Sequence, residues 1–231
     1  MSTSAMGLDK SGKILWGTDS RGGDTSRFVK IVPEPDGSFA RETIFESDDA
    51  DVADIMFNPI TGLPEAVATN RLRKSWTILD DAIRPDLEAL EQLVDGDLEI
   101  TDRSLDDRTW IAVYLVDDGP VQYWLWDRDQ QEGTYLFTNR PLLEDLPLAT
   151  MTPVEISARD GLKLVSYLTL PVGVEPKDLP MVVLVHGGPW ARDNWGYNSM
   201  HQWLANRGYA VLSVNFRGST GFGKDFINAG N

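Results

Sequence analysis

The sequence predicts a mixed fold: a partial β-propeller of about three blades, followed by the N-terminal part of an α/β domain. Three observations support this prediction. A pattern of short strands and tight turns recurs every 48 or 49 residues in the first two thirds of the chain. The charge balance changes near residue 150. Beyond that point, apolar strands alternate with a Gly-rich turn and a helix.

The repeat consists of an apolar residue, an Asp or Asn, a tight turn, a strand, a second turn and a second strand. Its three copies begin at Leu8-Asp9, Phe57-Asn58 and Leu105-Asp106. Short antiparallel strands with this period are typical of propeller blades, which are meanders of about four strands. Closed propellers have roughly four to eight blades. We therefore expect further blades outside this sequence, and an open stack of three sheets is the alternative.

One segment interrupts the strand pattern. In RPDLEALEQLVDGD, apolar residues recur at helical spacing at Leu87, Leu90 and Leu93, and Pro85 stands where a first turn tolerates proline. We predict a short helix over residues 85–94. A helix that caps a blade connection is the favoured interpretation, and a lid or contact element is the alternative.

The two parts of the chain differ in charge. Residues 1–150 carry 14 basic and 30 acidic side chains, a net charge of −16, whereas residues 151–231 carry seven basic and six acidic ones. An acidic surface repels phosphates, so we expect no nucleic-acid partner. The change in composition predicts a domain boundary. We place the C-terminal propeller blades in residues 1–147 and the start of the α/β domain in residues 148–231.

Several classes of protein are excluded by composition. The chain has no cysteine, and therefore no disulfide scaffold, thiolate metal site or cysteine nucleophile. Its two histidines, His186 and His201, lack neighbouring carboxylate pairs, so we expect no metal and no cofactor. No apolar stretch approaches the ~20 residues of a membrane span, and MSTSAMGLDKSGKIL does not resemble a signal peptide. We expect a cytoplasmic protein with no membrane partner.

The second part begins with a predicted hairpin. In TPVEISARDGLKLVSYLTLP, two alternating runs are joined by Asp160-Gly161, which is a strong turn signal. Residues 181–185 form a continuous apolar run, which predicts a strand buried on both faces. This strand ends in the turn HGGP, which starts at His186.

A helix and another buried strand follow the turn. Asn198 can cap the helix, and Gly208 can end it. The apolar residues that share one face of this helix are Met200, Trp203 and Leu204. We predict that His201 is a packed or solvent-facing helical residue, and that residues 209–216 form a buried strand. The order hairpin, strand, Gly-rich turn, helix, strand is typical of the start of an α/β-hydrolase sheet.

Three stretches resemble the prolyl oligopeptidase family of serine peptidases, in its acylaminoacyl-peptidase-like and dipeptidyl-peptidase-like branch. They are ARDGLKLVSYLTLP, VVLVHGGPWARDNWGYN and WLANRGYAVLSVNFRGSTGFGKDF. The resemblance implies a β-propeller followed by an α/β-hydrolase domain. It covers nearly the whole chain, with specific motifs in residues 153–231 and only the strand pattern before them.

The segment GSTGFGKD, residues 218–225, is one residue away from a phosphate-binding P-loop. A P-loop needs Ser or Thr after its Lys to hold Mg²⁺, and Asp225 occupies that position. Phe226 stands where a dinucleotide-binding fingerprint needs its third glycine. The resemblance implies instead that this loop lies beside the active site, with Arg217, Gly218 and Ser219 as candidate residues. A Gly-rich turn that only leaves a strand explains the glycines equally well.

The triad of a serine hydrolase is not found in this sequence. α/β-Hydrolases carry the nucleophile in G-x-S-x-G, followed along the chain by an acid and a His. Ser219 comes nearest to this pattern, but Arg217 occupies the first Gly position. We expect the chain to end before the triad. The resemblance implies that the turn His186-Gly187-Gly188 supplies a backbone oxyanion donor, and a turn without a ligand is the alternative.

We interpret the chain as a piece of a serine peptidase that hydrolyses short peptides by acyl transfer, and we expect it to be inactive alone. A non-catalytic propeller module that binds a partner and an esterase on the same scaffold are the alternatives. An in-frame G-x-S-x-G downstream would favour the peptidase. Two predicted strands lack the elements that should cover them, so we expect self-association through exposed sheet edges.

Overall fold

The computed structural model describes residues 3–188 and 190–231, and its first part consists of three antiparallel sheets. The first sheet contains β1 (Thr3–Leu8), β2 (Leu15–Asp19), β3 (Arg27–Pro33) and β4 (Phe39–Phe45). The second contains β5 (Val52–Phe57), β6 (Pro64–Asn70) and β7 (Lys74–Ile78). The third contains β8 (Asp97–Arg103), β9 (Thr109–Leu115), β10 (Gln122–Asp127) and β11 (Glu132–Thr138). Consecutive strands are neighbours in every sheet, so the predicted propeller blades are confirmed.

The sequence repeat marks the turn between the first and second strand of each blade. Asp9 accepts the backbone N–H groups four and five residues ahead, at 2.9 and 2.8 Å. Asn58 accepts those two and three residues ahead, both at 2.9 Å. Asp106 accepts one N–H two residues ahead. The repeat is therefore a signal of Asx turns. Its apolar residue has no common role, because Leu8 and Leu105 are exposed whereas Phe57 packs against the core of Trp16 and Phe28.

Blade two has three strands, and a helix follows the third. A 3-10 turn (Asp81–Ile83) leads into α1 (Arg84–Leu93), within one residue of the predicted helix. Leu87 and Leu90 are fully buried against Trp110 and Trp126, in the core shared by blades two and three. The helix therefore covers the connection between two blades, as the favoured interpretation predicted.

A buried ion cluster also joins blades two and three. The Arg103 guanidinium pairs with Glu65 and Asp107, both at 2.6 Å. The guanidinium groups of Arg103 and Arg128 each contact the ring of Trp110, at 4.4 and 4.8 Å from its centroid. Because these charges are paired and hydrogen-bonded, their burial is tolerated.

The second part contains one mixed sheet. Its strands are β12 (Met151–Ser157), β13 (Lys163–Thr169), β14 (Met181–Leu184) and β15 (Ala210–Val214), in the order β12-β13-β15-β14. The first two strands form the predicted hairpin, and β14 is parallel to β15. The helix α2 (Ser199–Ala205) connects this parallel pair, and α3 (Lys224–Asn228) follows β15. This arrangement agrees with the predicted start of an α/β-hydrolase sheet. The predicted boundary after residue 147 lies between the 3-10 turn Pro141–Leu143 and β12.

Strand β14 differs from the prediction of a strand buried on both faces. It lies at the edge of the sheet, and Met181 and Val183 are 52% and 55% exposed. A continuous apolar run predicts a buried strand, but burial also requires elements that pack on it. Strand β15 lies inside the sheet and is buried as predicted, with Val211 fully covered.

The face of α2 that packs on the sheet is not the apolar one. Asn198 caps the helix as predicted, since its side chain accepts the N–H groups of Met200 and His201. However, Met200 and Trp203 are about half exposed, whereas His201 and Ala205 are buried. The buried face thus contains a polar ring, which requires hydrogen-bond partners inside the sheet.

The turn between β6 and β7 joins the two parts of the chain. Leu72 packs against the hydrophobic core of the α/β part. The Tyr167 hydroxyl donates to the Leu72 carbonyl at 3.0 Å. The Arg192 guanidinium donates to the carbonyls of Asn70 and Arg71, at 2.7 and 3.1 Å. This propeller turn is therefore inserted into the α/β part. None of the described helices is long and apolar enough to cross a bilayer.

Candidate active site

The two predicted groups of site residues meet at the carboxyl ends of β14 and β15. Residues 186–188 follow β14, and residues 217–219 follow β15, which is parallel to it. The carboxyl ends of parallel strands are where α/β sheets place their ligand sites. A hydrogen bond between His186 and Ser219 connects the two groups directly. Pro189, the last residue of the predicted HGGP turn, lies outside the described residues.

Two hydrogen bonds fix the His186 ring. Nδ1 lies 2.9 Å from the Gly187 carbonyl, which can only accept, so Nδ1 carries the proton. Nε2 lies 2.9 Å from the Ser219 hydroxyl oxygen. In the neutral ring, Nε2 accepts the hydroxyl proton of Ser219. Ser219 is fully buried, and the ring stacks on Phe216 with centroids 4.5 Å apart. The neutral ring is thus fixed in one tautomer and one orientation.

The glycines that follow His186 present backbone donors that are unpaired in the described part of the chain. Within residues 3–188 and 190–231, no acceptor is bonded to the N–H group of Gly187 or of Gly188. Both residues are exposed. A Cβ added to Gly187 would meet no described atom within 4 Å, so open space adjoins the backbone there, whereas one added to Gly188 would lie 3.3 Å from the Trp190 backbone N. Fixed donors next to open space are suited to bind an oxyanion.

Asp193 is a polar residue near the turn that our sequence analysis did not single out. Its backbone N–H donates to the Asn215 side chain at 2.8 Å, and the Asn215 amide donates back to the Asp193 carbonyl at 3.1 Å. Its Oδ2 is buried and has no partner among the described residues. Burial raises the pKa of Asp193, although His186 and Arg192 oppose the shift. In the sequence, the signal for Asp193 is its position in the charged pair Arg192-Asp193, a few residues after the HGGP turn.

Two other predicted residues have structural roles. The Arg217 guanidinium is bonded to both carboxylate oxygens of Asp160 in the β12–β13 turn, at 3.0 and 2.8 Å, which lowers the pKa of Asp160. Gly218 has a φ of 100° and donates its N–H to the Phe226 carbonyl at 2.9 Å. Only glycine adopts such a φ without strain. Of residues 217–219, it is Ser219 that contacts the His186 ring.

His201 lies in a separate, fully buried network. The Leu184 carbonyl accepts from the Ser213 hydroxyl at 3.1 Å, so Ser213 has no further proton to donate. His201 Nε2 therefore donates to Ser213 at 2.8 Å, and Nδ1 accepts from Thr169 at 2.9 Å. Burial lowers the pKa of His201 to about 4. The ring is packed, and it lies away from the exposed turn. Across the described part of the chain, no three acidic or histidine side chains are grouped as metal ligands.

Comparisons with known proteins agree with this geometry. The sequence pattern of the prolyl oligopeptidase family matches residues 195–231. The whole chain is 49% identical to dipeptidyl aminopeptidase BIII of Pseudoxanthomonas mexicana, of which it covers 34%. Dipeptidyl peptidase family member 6 of Caenorhabditis elegans is 31% identical over 97% of the chain, which covers 33% of that protein.

Solved structures share the fold. Prolyl oligopeptidase B from Galerina marginata matches 99% of the chain with a TM-score of 0.75 at 15% identity, and 33% of that protein is covered. A puromycin-hydrolyzing peptidase of Mycobacterium tuberculosis matches 98% with a TM-score of 0.67 at 18% identity, and 36% of it is covered. The chain thus spans about a third of the length of the relatives it matches. With its partial β-propeller and the beginning of an α/β-hydrolase sheet, the chain belongs to the prolyl oligopeptidase family.

Proposed function

We propose that the full-length protein is a serine peptidase, and that this chain supplies one half of its oxyanion hole. The observation that carries the proposal is the pair of N–H groups at Gly187 and Gly188, which have no acceptor within residues 3–188 and 190–231, on a turn fixed by the His186–Ser219 hydrogen bond. Acyl transfer passes through a tetrahedral oxyanion that fixed backbone donors stabilise. In α/β-hydrolases one such donor comes from the loop after the corresponding strand.

The names of the relatives suggest the class of substrate. A dipeptidyl aminopeptidase and a dipeptidyl peptidase each align with nearly all of the chain. We propose that the full-length protein likewise removes dipeptides from short peptides. The propeller blades next to the turn then restrict which peptides enter.

We also propose that residues 1–231 do not hydrolyse peptides or esters alone. No serine in this sequence lies in G-x-S-x-G, and the second oxyanion donor of such enzymes is the N–H that follows the nucleophile. The Ser219–His186 pair resembles the Ser–His pair of a triad in distance, but Ser219 is fully buried. A substrate carbonyl therefore has no access to its hydroxyl.

A fluorophosphonate probe, together with dipeptidyl and ester substrates, tests these proposals. We expect stoichiometric labelling of the full-length protein at a serine outside residues 1–231, and no labelling of the chain alone. Labelling at Ser219, abolished by Ser219→Ala, would contradict the proposed inactivity. A full-length protein that is neither labelled nor active on dipeptidyl substrates would contradict the peptidase and favour a non-catalytic module. Activity on esters but not on peptides would favour an esterase.

A further inference from the structure

The Gly-rich loop after β15 ends against the first propeller blade. Asp24, in the turn between β2 and β3, accepts the Asp225 N–H with Oδ1 at 2.6 Å. The Asp24 carbonyl accepts the Lys224 N–H at 3.2 Å. The Lys224 ammonium group donates to the Ser20 carbonyl at 2.8 Å. Three hydrogen bonds thus connect one propeller turn to the first residues of α3.

In the segment that resembles a P-loop, the Asp24 carboxylate accepts an N–H group at the start of α3. The first N–H groups of a helix lack partners within the helix and favour negative charge. Here the negative charge is a carboxylate from the propeller, 201 residues earlier in the chain. The start of α3 is therefore capped from within the protein.

Gly223 is required for this contact. Its φ of 86° and ψ of 170° are accessible to glycine and not to other residues. A Cβ at this position would lie 2.7 Å from Cγ of Asp24. Any side chain at residue 223 would therefore strain the backbone and also displace the Asp24 carboxylate.

The same loop supports the candidate active site. Ser219 donates to His186, and the Thr220 N–H donates to the Ala191 carbonyl at 3.0 Å, just beyond the turn. In the middle of the loop, the Gly221 carbonyl accepts the N–H of Asp51, another propeller residue, at 3.0 Å. Hydrogen bonds therefore run from the propeller through the loop to the His186 turn.

We propose that Asp24 is a positioning residue for the His186 turn and acts on it through the Gly-rich loop. This inference rests on the proposed function, in which the turn binds the oxyanion. Without the Asp24 carboxylate, the loop loses its hydrogen bond at the Asp225 N–H and keeps only its other contacts, and a small shift of the loop would move Ser219 and with it the His186 ring. Because a misplacement of about 1 Å can cost about a hundredfold in rate, the propeller turn contributes to kcat without touching the substrate.

The test compares kinetic constants of the full-length protein and its variants. Asp24→Ala should lower kcat by about tenfold or more with little change in KM. Asp24→Asn, whose side-chain oxygen can still accept the Asp225 N–H, should recover much of that loss. The matched control is Asp36→Ala. It removes a carboxylate of the same blade that accepts the Ser38 N–H at 2.9 Å in an exposed turn, and it should leave kcat unchanged.

A double-mutant cycle tests the contact itself. Gly223→Ala should lower kcat in the native background. In the Asp24→Ala background its effect should be smaller, because the added Cβ no longer meets a carboxylate. Fully multiplicative effects of the two substitutions would refute the direct contact.

Thermal unfolding of the same variants separates positioning from a purely structural role. Asp24→Ala and Asp24→Asn that lower Tm but leave kcat and KM unchanged would overturn the inference. If the wild-type protein is active and the Asp24 variants keep its kcat and KM, only the positioning role of Asp24 is refuted. If the full-length wild-type protein has no peptidase activity, both the proposed function and the positioning role of Asp24 are refuted.

Discussion

The buried His201 should make the folded chain sensitive to acid, and His201→Gln should remove that sensitivity. In the folded chain Nδ1 accepts from the Thr169 hydroxyl and Nε2 donates to Ser213. A protonated ring has no acceptor atom, so the Thr169 hydroxyl would lose its partner. Burial lowers the pKa of the ring from 6.5 to about 4, since the charged form is poorly solvated there.

The direction and size of the effect follow from these values. The folded pKa lies below the unfolded one, so between pH 6.5 and about 4 the unfolded chain binds a proton that the folded chain excludes. The free energy of unfolding therefore falls as the pH falls through this window. The full shift corresponds to about 3 kcal/mol, at no more than ~1.4 kcal/mol per pH unit. The stabilisation that comes from the neutral His201 ring is fully present above pH 6.5 and fully lost below about pH 4.

Urea unfolding at a series of pH values measures this effect. The eight tryptophans of the chain give a fluorescence signal at concentrations low enough to limit self-association. His201→Gln should be less stable than the wild type at neutral pH. Between pH 6.5 and about 4, however, its free energy of unfolding should fall by about 3 kcal/mol less than that of the wild type. His186→Gln makes the same exchange at the other histidine, and comparing the two variants isolates the contribution of His201. Equal pH dependence in the wild type and in His201→Gln would refute the reasoning.

Three further predictions concern other parts of the chain. In the full-length protein, Gly188→Val should lower kcat by about 10²–10³-fold with little change in Tm, because the added side chain, whose Cβ would lie 3.3 Å from the Trp190 backbone N, would displace the oxyanion donor or block approach to it; a kcat near the wild-type value would make the turn structural only. Light scattering should show that the isolated chain associates at low micromolar concentration, because the apolar edge strand β14 is exposed. A monodisperse 25.7 kDa monomer with a cooperative melt would contradict this expectation. Arg103→Ala should cost about 3 kcal/mol in urea unfolding, because Glu65 would lose its guanidinium partner in a buried site, whereas Asp107 keeps its ion pair with Arg128; a cost below about 1 kcal/mol would indicate that solvent screens the cluster.

The sequence predicted the features that depend on neighbouring residues. The blade turns were found because Asx side chains bind N–H groups only a few residues ahead. The helix over residues 84–93 was found because its apolar spacing and its first-turn proline are local signals. The Asp160-Gly161 hairpin is of the same kind. Each of these signals is complete within about 15 residues of sequence.

The sequence did not predict the features that depend on distant partners. The buried face of α2 follows from acceptors and donors that Thr169 and Ser213 provide on two strands. The pairing of Ser219 with His186 spans 33 residues. The exposure of β14 follows from its edge position, and an apolar run alone contains no information about what packs on it. The buried face of α2, the Ser219–His186 pair and the exposure of β14 are determined by spatial neighbours and not by residue types.

Because the turn at Leu72 is inserted into the α/β part, the two parts on either side of the composition change near residue 150 are not independent folding units. An α/β part separated from the propeller would lose an apolar side chain from its core. It would also lose the carbonyl acceptors of the Tyr167 hydroxyl and the Arg192 guanidinium. Each intramolecular hydrogen bond lost in this way costs about 0.5–1.5 kcal/mol, and more when one of the groups is charged. The smallest cooperatively folding unit that contains the His186 turn therefore includes residues 70–72 of the propeller, and proteolytic nicking between the two parts should leave them associated.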